Sequence, residues 1–247
     1  MALVIIIDLI VVFYLCRVAL TAGLEAALPF ASFAIILVPI ESSLSLGLFE
    51  LTTQRLVIML LIVLYLSGNR AGRRAQLPMP LKILMLIHIC WCAISTANSV
   101  VPLMSIKKAI SVVFEYYFLY FIYWKTISRT ETVRKIFFAI VLAMIVCSVF
   151  GAFEASGATG PLTFFPKAAH HFSMLEEPDR EIRLQSTFDH PILFGAALAM
   201  AITVALYLVT TVQKAWQTAL LWFGIMLMFL NIYKTSSRGP WLDVILA

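Results

Sequence analysis

The chain has 247 residues, of which 62% are hydrophobic and only 13% charged, and its mean hydropathy is +0.98. A soluble domain carries roughly twice that share of charged residues, so the composition excludes a soluble globular protein and predicts an integral membrane protein. The formal charge of +5 is modest and comes from loops rather than from a basic cluster, which argues against nucleic acid as a partner. No glycine-rich phosphate loop of the Walker or Rossmann type is present.

Eight apolar segments follow one another along the chain, and a ninth begins at Trp241. They are continuously apolar rather than alternating, which is typical of spanning helices and not of a transmembrane β-barrel. We therefore predict an all-α fold, a polytopic helix bundle of eight spanning segments plus the start of a ninth. The segments are 2–16, 24–40, 56–66, 81–97, 109–124, 136–153, 192–210 and 218–233.

The sequence ends about seven residues into the ninth segment, which is too short to cross a hydrocarbon core of about 30 Å. We therefore expect residues 1–247 to be a single membrane domain that forms the N-terminal part of a longer protein. Such a fragment is expected to be inactive alone.

Few polar side chains fall inside the apolar segments. Glu115 lies within 109–124, where a carboxylate needs a partner or water. The tyrosines near it form either a wall for a lipid chain or sugar, or ordinary helix packing. We expect Asp8 and His88 to be satisfied by neighbouring helices. The four cysteines show no zinc or disulfide spacing, so no metal site is predicted.

The distribution of basic residues predicts how the chain is oriented. Two short loops, 67–80 and 125–135, are densely basic, and the positive-inside rule places both in the cytoplasm. Counting crossings from them puts Arg17 and Lys214 inside as well. The segment 154–190 and the turn at Arg238 then lie outside, which in a bacterium is the periplasmic face of the inner membrane. The basic residues of the two loops are Arg70, Arg73, Arg74, Lys125, Arg129, Arg134 and Lys135.

The predicted outer loop, 154–190, is too long for a plain connection, and loops of this length are often functional. It holds three of the four histidines: His170, His171 and His190. The alternative interpretation is a solvated acidic loop with a short amphipathic helix on the membrane surface.

Two arginines stand beside predicted helix starts on that outer face. Arg183 precedes the helix that begins near Pro191, with Asp189 or His190 near its cap, and Arg238 precedes Pro240. Helix N-termini bind anions, and an arginine fork binds phosphate through two parallel hydrogen bonds. The pattern suggests a phosphate or pyrophosphate at the membrane surface. Alternatively, the turn at Arg238 is structural, and the arginine only extends to lipid head groups.

The motif Ser-Thr-Phe-Asp-His-Pro-Ile-Leu-Phe-Gly at 186–195 follows Arg183, and Ser-Ser-Arg-Gly-Pro occupies 236–240. In this order and spacing, the two motifs resemble the O-antigen ligase and O-antigen polymerase superfamily. The similarity is strongest over residues 183–247, which correspond to the start of that family's signature region.

The resemblance implies a membrane glycosyltransferase with an all-helical fold. Such an enzyme takes a glycan from an undecaprenyl-pyrophosphate carrier and joins it to a glycan, a lipid A core or a protein, without a nucleotide sugar, metal or other cofactor. Arg183 and Arg238 become the candidate catalytic residues that grip the pyrophosphate, and Ser237 and His190 are candidate substrate-binding residues beside them. The family also uses a histidine in a later outer loop. A secondary transporter or a flippase for lipid-linked glycans remains the alternative function.

Overall fold

The computed structural model of the protein describes residues 2–39, 43–46, 49–67, 78–156, 184–188, 190–235 and 240–241. These residues are almost entirely helical, as predicted, apart from one short antiparallel hairpin of β1 (Ser43–Leu46) and β2 (Phe49–Thr52). In chain order the helices are α1 (Ala2–Ala22), α2 (Leu24–Leu37), α3 (Thr53–Leu66), α4 (Met79–Ala97), α5 (Pro102–Val112), α6 (Leu119–Thr126), α7 (Thr130–Ala155), α8 (Pro191–Thr211) and α9 (Ala215–Lys234). The π-helical segment Val113–Phe118 joins α5 to α6 in one continuous helix.

The prediction of eight spanning segments is wrong. Within the described residues, five helices are long and apolar enough to cross a membrane: the Val4–Ala22 part of α1, and α4, α7, α8 and α9. They make the protein a multi-pass membrane protein. The predicted ninth segment lies outside the described residues, except for Pro240 and Trp241.

Three predicted spans fail for identifiable reasons. Helices α2 and α3 have only 14 residues each, a rise of about 21 Å against a hydrocarbon core of about 30 Å. Helix α2 ends because Val38, the residue before Pro39, is extended, as steric conflict with a following proline requires. The segment 109–124 lies in the continuous helix from Pro102 to Thr126, but this helix changes from α5 to the π-helical turn that carries Glu115 and then to α6, and none of the three parts alone is among the five long apolar helices.

Two hydrophobic clusters form the interior. One is built by α7, α8 and α9 and includes Leu184, and the other by α1, α2 and α3 with Ile122 of α6 and Ile136 of α7. Helix α2 joins them, because its buried alanines belong to the second cluster while Ile36 and Leu37 pack against the first. Ala27 and Ala31 are four residues apart and fully buried. Small side chains of this kind let helix backbones approach closely, and this close packing holds helices together in a membrane, where no hydrophobic effect drives them together.

The hairpin of α4 and α5 packs at the edge of this interior. Neither helix has a buried residue, and α4 packs on α5. His88 has a partner as expected, since its Nδ1 is hydrogen-bonded to the Tyr117 hydroxyl. Glu115 also has a partner, because Arg55 Nε in the first turn of α3 donates to its carboxylate at 2.7 Å.

The Glu25 carboxylate ties the start of α2 to the start of α7. It accepts hydrogen bonds from the Ser128 N–H and hydroxyl, the Arg129 N–H and the Thr132 hydroxyl, at 2.6–3.1 Å. Burial raises the pKa of Glu25, but these four bonds outweigh it and lower the pKa to about 2. We call this the Glu25 end of the bundle and the opposite end, where α7 finishes, the Glu154 end.

Candidate functional site at the Glu154 end

The residues predicted to act on substrate are partly outside the described structure. Arg183, Ser237 and Arg238 are not among the described residues, whereas His190 is. The structure does describe the segments that flank them, 184–188 and His190 on one side and Thr235 and Pro240 on the other. Those flanking segments meet at the Glu154 end.

One turn of α7 anchors the segment 184–188 and the last part of α9, which leads to Thr235. The Ser186 hydroxyl donates to the Cys147 carbonyl at 2.7 Å, and the Asn231 amide donates to the next carbonyl, that of Ser148, at 3.1 Å. Asn231 and Ser148 are buried, and the Asn231 side-chain oxygen lies against Gly151, where any Cβ would collide with it. Adjacent carbonyls of one helix therefore hold the chain three residues after Arg183 and seven residues before Arg238.

Thr187 fastens the first flanking segment deeper in the bundle. Its hydroxyl donates to the Ile36 carbonyl of α2 at 3.4 Å and lies 3.2 Å from the Cys147 sulfur. Leu184 is buried in the cluster of α7, α8 and α9, and the Phe188 ring packs on the Phe194 ring at a centroid distance of 5.5 Å. The segment 184–188 is thus packed into the bundle and is not a surface loop.

Glu154 provides a third anchor for the same segment. The predicted outer loop was placed at 154–190, but α7 continues to Ala155, so Glu154 belongs to its last turn. The side chain is only 2% exposed, and its carboxylate accepts the Ser186 N–H at 2.9 Å and the Gln185 N–H at 3.3 Å. Ser186 has φ of 51°, a left-handed conformation that costs a non-glycine residue about 1 kcal/mol and that these bonds hold in place.

His190 is the N-cap of α8, as the sequence suggested. Its backbone is extended, and its Nδ1 accepts the Ile192 N–H at 3.2 Å. An imidazole that accepts through Nδ1 carries its proton on Nε2, so the exposed ring can donate to an anion but is poorly arranged as a general base. Because Pro191 has no N–H and the Ile192 N–H is capped, the helix start offers fewer free donors than expected.

The start of α8 and the turn after α9 are in direct contact. A Cβ at Gly195 would collide with the Pro240 ring and would approach the Thr235 hydroxyl to 3.4 Å, so only glycine permits this packing. Thr235 is fully buried and caps α9, because its hydroxyl donates to the Ile232 carbonyl in the last turn of that helix. The two predicted helix starts, at Pro191 and Pro240, therefore lie side by side.

The supporting residues Glu154 and Asn231 were not singled out from the sequence, and Gly195 entered only as the last residue of the motif at 186–195. Each has a possible signal: Glu154 and Asn231 are polar residues at the ends of apolar segments, and Gly195 follows the Pro191 start by four residues. These three residues are far apart along the chain, so the sequence does not show that they come together in the fold. Within the described residues, no group of three or more His, Cys, Asp or Glu side chains is arranged to hold a metal ion.

Comparison of the chain with protein-family models, with curated proteins and with solved structures finds no match.

Proposed function

We propose that the protein transfers a saccharide from an undecaprenyl-pyrophosphate carrier to a glycan, lipid A core or protein acceptor, in the manner of the O-antigen ligases and polymerases. The observation that carries this proposal is the anchoring of Ser186, three residues after Arg183, and of Asn231, seven residues before Arg238, on adjacent carbonyls of α7. Both anchors lie at the Glu154 end of the bundle, and in this proposal Arg183 and Arg238 act there together on a dianionic group at the membrane surface.

In the proposed reaction an acceptor hydroxyl oxygen attacks the anomeric carbon of the carrier-linked sugar. The bond from that carbon to the pyrophosphate oxygen breaks, and the pyrophosphate leaves with the electron pair while the hydroxyl proton passes to a base. Arg183 and Arg238 stabilise the charge that develops on the leaving group, which is where electrostatic catalysis acts. His190 and Ser237 donate hydrogen bonds to the same phosphates. The resemblance places the base, a histidine, in a later outer loop.

The proposed location is the inner membrane of a bacterium, with the Glu154 end facing the periplasm. This arrangement needs only the basic 125–135 loop in the cytoplasm and a crossing by α7, which is one of the five candidate spans. Labelling of single cysteines at Glu131→Cys in the first turn of α7 and at Phe172→Cys after its end tests the orientation in a variant without the native cysteines. We expect labelling from opposite sides, and labelling of both from one side would overturn the orientation and the site with it.

The activity test uses the full protein in nanodiscs with an undecaprenyl-pyrophosphate oligosaccharide carrying a labelled sugar. Transfer converts the label from an acid-labile glycosyl phosphate into an acid-stable glycoside. Arg183→Lys and Arg238→Lys keep the charge but lose the two-pronged contact, so each should slow transfer about ten- to a hundredfold, as expected for losing a charge-assisted bond of about 1.5–3 kcal/mol.

Arg134→Lys in α7 is the matched control, because it makes the same change at the Glu25 end. Its rate should equal that of the wild type. Near-normal transfer by both site variants would contradict the pyrophosphate assignment and leave the arginines a structural role. A protein that moves the label across the membrane without making it acid-stable would be a flippase instead.

A further inference from the structure

Glu154 is an unusual residue for the place it occupies. A carboxylate only 2% exposed has lost nearly all its water, and this loss is costly unless partners replace it. The ion pairs within the described residues are Arg55–Glu115 and Lys135–Glu131, so no described cation balances Glu154. What replaces its water is a pair of successive backbone N–H groups, those of Gln185 and Ser186.

These bonds act on one short stretch of backbone. Two N–H groups that converge on a single carboxylate fix the orientation of the peptides between Leu184 and Ser186. The left-handed Ser186 then directs its hydroxyl to the Cys147 carbonyl. The chain is therefore held at its N–H groups by the end of α7 and at the Ser186 hydroxyl by a carbonyl about two turns earlier in the same helix. Arg183 is only two residues before Gln185 in the sequence.

We propose that Glu154 is a positioning residue, whose buried carboxylate fixes the backbone after Arg183 so that the arginine and the start of α8 serve one pyrophosphate. This inference rests on the proposed function. Glu154 touches neither the carrier nor the sugar in this role, and it acts through the segment 184–188. An orienting group of this kind reduces the entropy that the arginine loses when it binds.

The test compares Glu154→Gln with Glu25→Gln in the full protein. Glu25 makes the same type of bond, from a carboxylate to successive backbone N–H groups, but at the opposite end of the bundle. Hydrogen exchange at the Gln185 and Ser186 amides should accelerate in Glu154→Gln and stay unchanged in Glu25→Gln. Affinity for undecaprenyl pyrophosphate in nanodiscs should fall about tenfold only in Glu154→Gln, because a charge-assisted contact becomes a neutral one.

A double-mutant cycle then separates the inference from the function on which it rests. If Glu154 acts through Arg183, the Glu154→Gln/Arg183→Lys protein should bind undecaprenyl pyrophosphate no more weakly than Arg183→Lys alone. Wild-type affinity in Glu154→Gln, or additive losses in the double variant, would overturn the positioning role and leave the proposed function standing. Wild-type affinity in Arg183→Lys would overturn the proposed function itself. Ser186→Ala, which removes the other anchor, should shift exchange and affinity in the same direction and serves if Glu154→Gln folds poorly.

Discussion

The ion pair between Arg55 and Glu115 should dominate the stability of the contact between α3 and the π-helical segment Val113–Phe118. The side chains are only 19% and 18% exposed, and Arg55 also donates to the Ser111 hydroxyl at 2.9 Å. Glu115→Gln removes the carboxylate charge that faces the Arg55 guanidinium in a poorly solvated place. Breaking a fully buried pair costs about 3–5 kcal/mol, and since a fifth of each side chain reaches solvent, we expect about 2–3 kcal/mol here.

The assay is reversible unfolding in detergent micelles, with two comparison proteins. Lys135→Gln breaks a pair whose side chains are 64% and 70% exposed, and it should leave the midpoint unchanged because water screens that pair already. Arg55→Met/Glu115→Leu removes both charges together and should recover most of the stability lost in Glu115→Gln, to within about 1 kcal/mol of the wild type. If Glu115→Gln costs no more than Lys135→Gln, the pair is solvated and the reasoning from burial is wrong.

Two further outcomes follow from described contacts. Gly195→Ala should destabilise the protein by about 1–3 kcal/mol, because its Cβ meets a rigid proline ring; Gly224→Ala should cost less, because its Cβ meets the end of a flexible isoleucine, and equal losses would contradict this. For Glu25, a folded-state pKa below the ordinary 4.5 means that its stabilising contribution is complete above pH 4.5 and is lost as the pH falls toward 2. The difference in unfolding midpoint between the wild type and Glu25→Gln should therefore shrink over that range, and a constant difference would refute the assignment.

The helical character of the chain was predictable, but the number of crossings was not. Continuous apolar runs distinguish membrane helices from barrel strands, and that distinction depends only on composition and period. Whether a run spans depends on where its helix stops. Pro39 ends α2 at 14 residues, and a hairpin rather than more helix precedes α3. Hydropathy alone treats 24–40 as one segment, because a proline inside an apolar run changes its mean little.

The site was predictable only as far as local chemistry reaches. Pro191 as the first helical residue follows from short-range preferences and is confirmed, and of the two cap candidates, Asp189 and His190, the structure has His190 as the N-cap. Glu115 was expected to need a partner, but Arg55, 60 residues earlier, could not be named as that partner from the sequence. The same holds for Glu154, because a carboxylate that accepts backbone N–H groups 31 residues away leaves no sequence pattern.

The early end of α2, which leaves this helix too short to span the membrane, also explains how the site is built. At one end the Thr132 hydroxyl of α7 donates to Glu25 of α2, and at the other end the Cys147 thiol of α7 donates to the Ile36 carbonyl of α2. Helices α2 and α7 therefore run in the same direction. From Cys147, α7 continues eight residues to Ala155, a rise of about 12 Å, whereas α2 stops at Leu37. A longer α2 would occupy the volume beside this last part of α7. Because it stops, Thr187 can reach the Ile36 carbonyl, and the chain after Arg183 packs inside the bundle between two helices instead of lying on its surface.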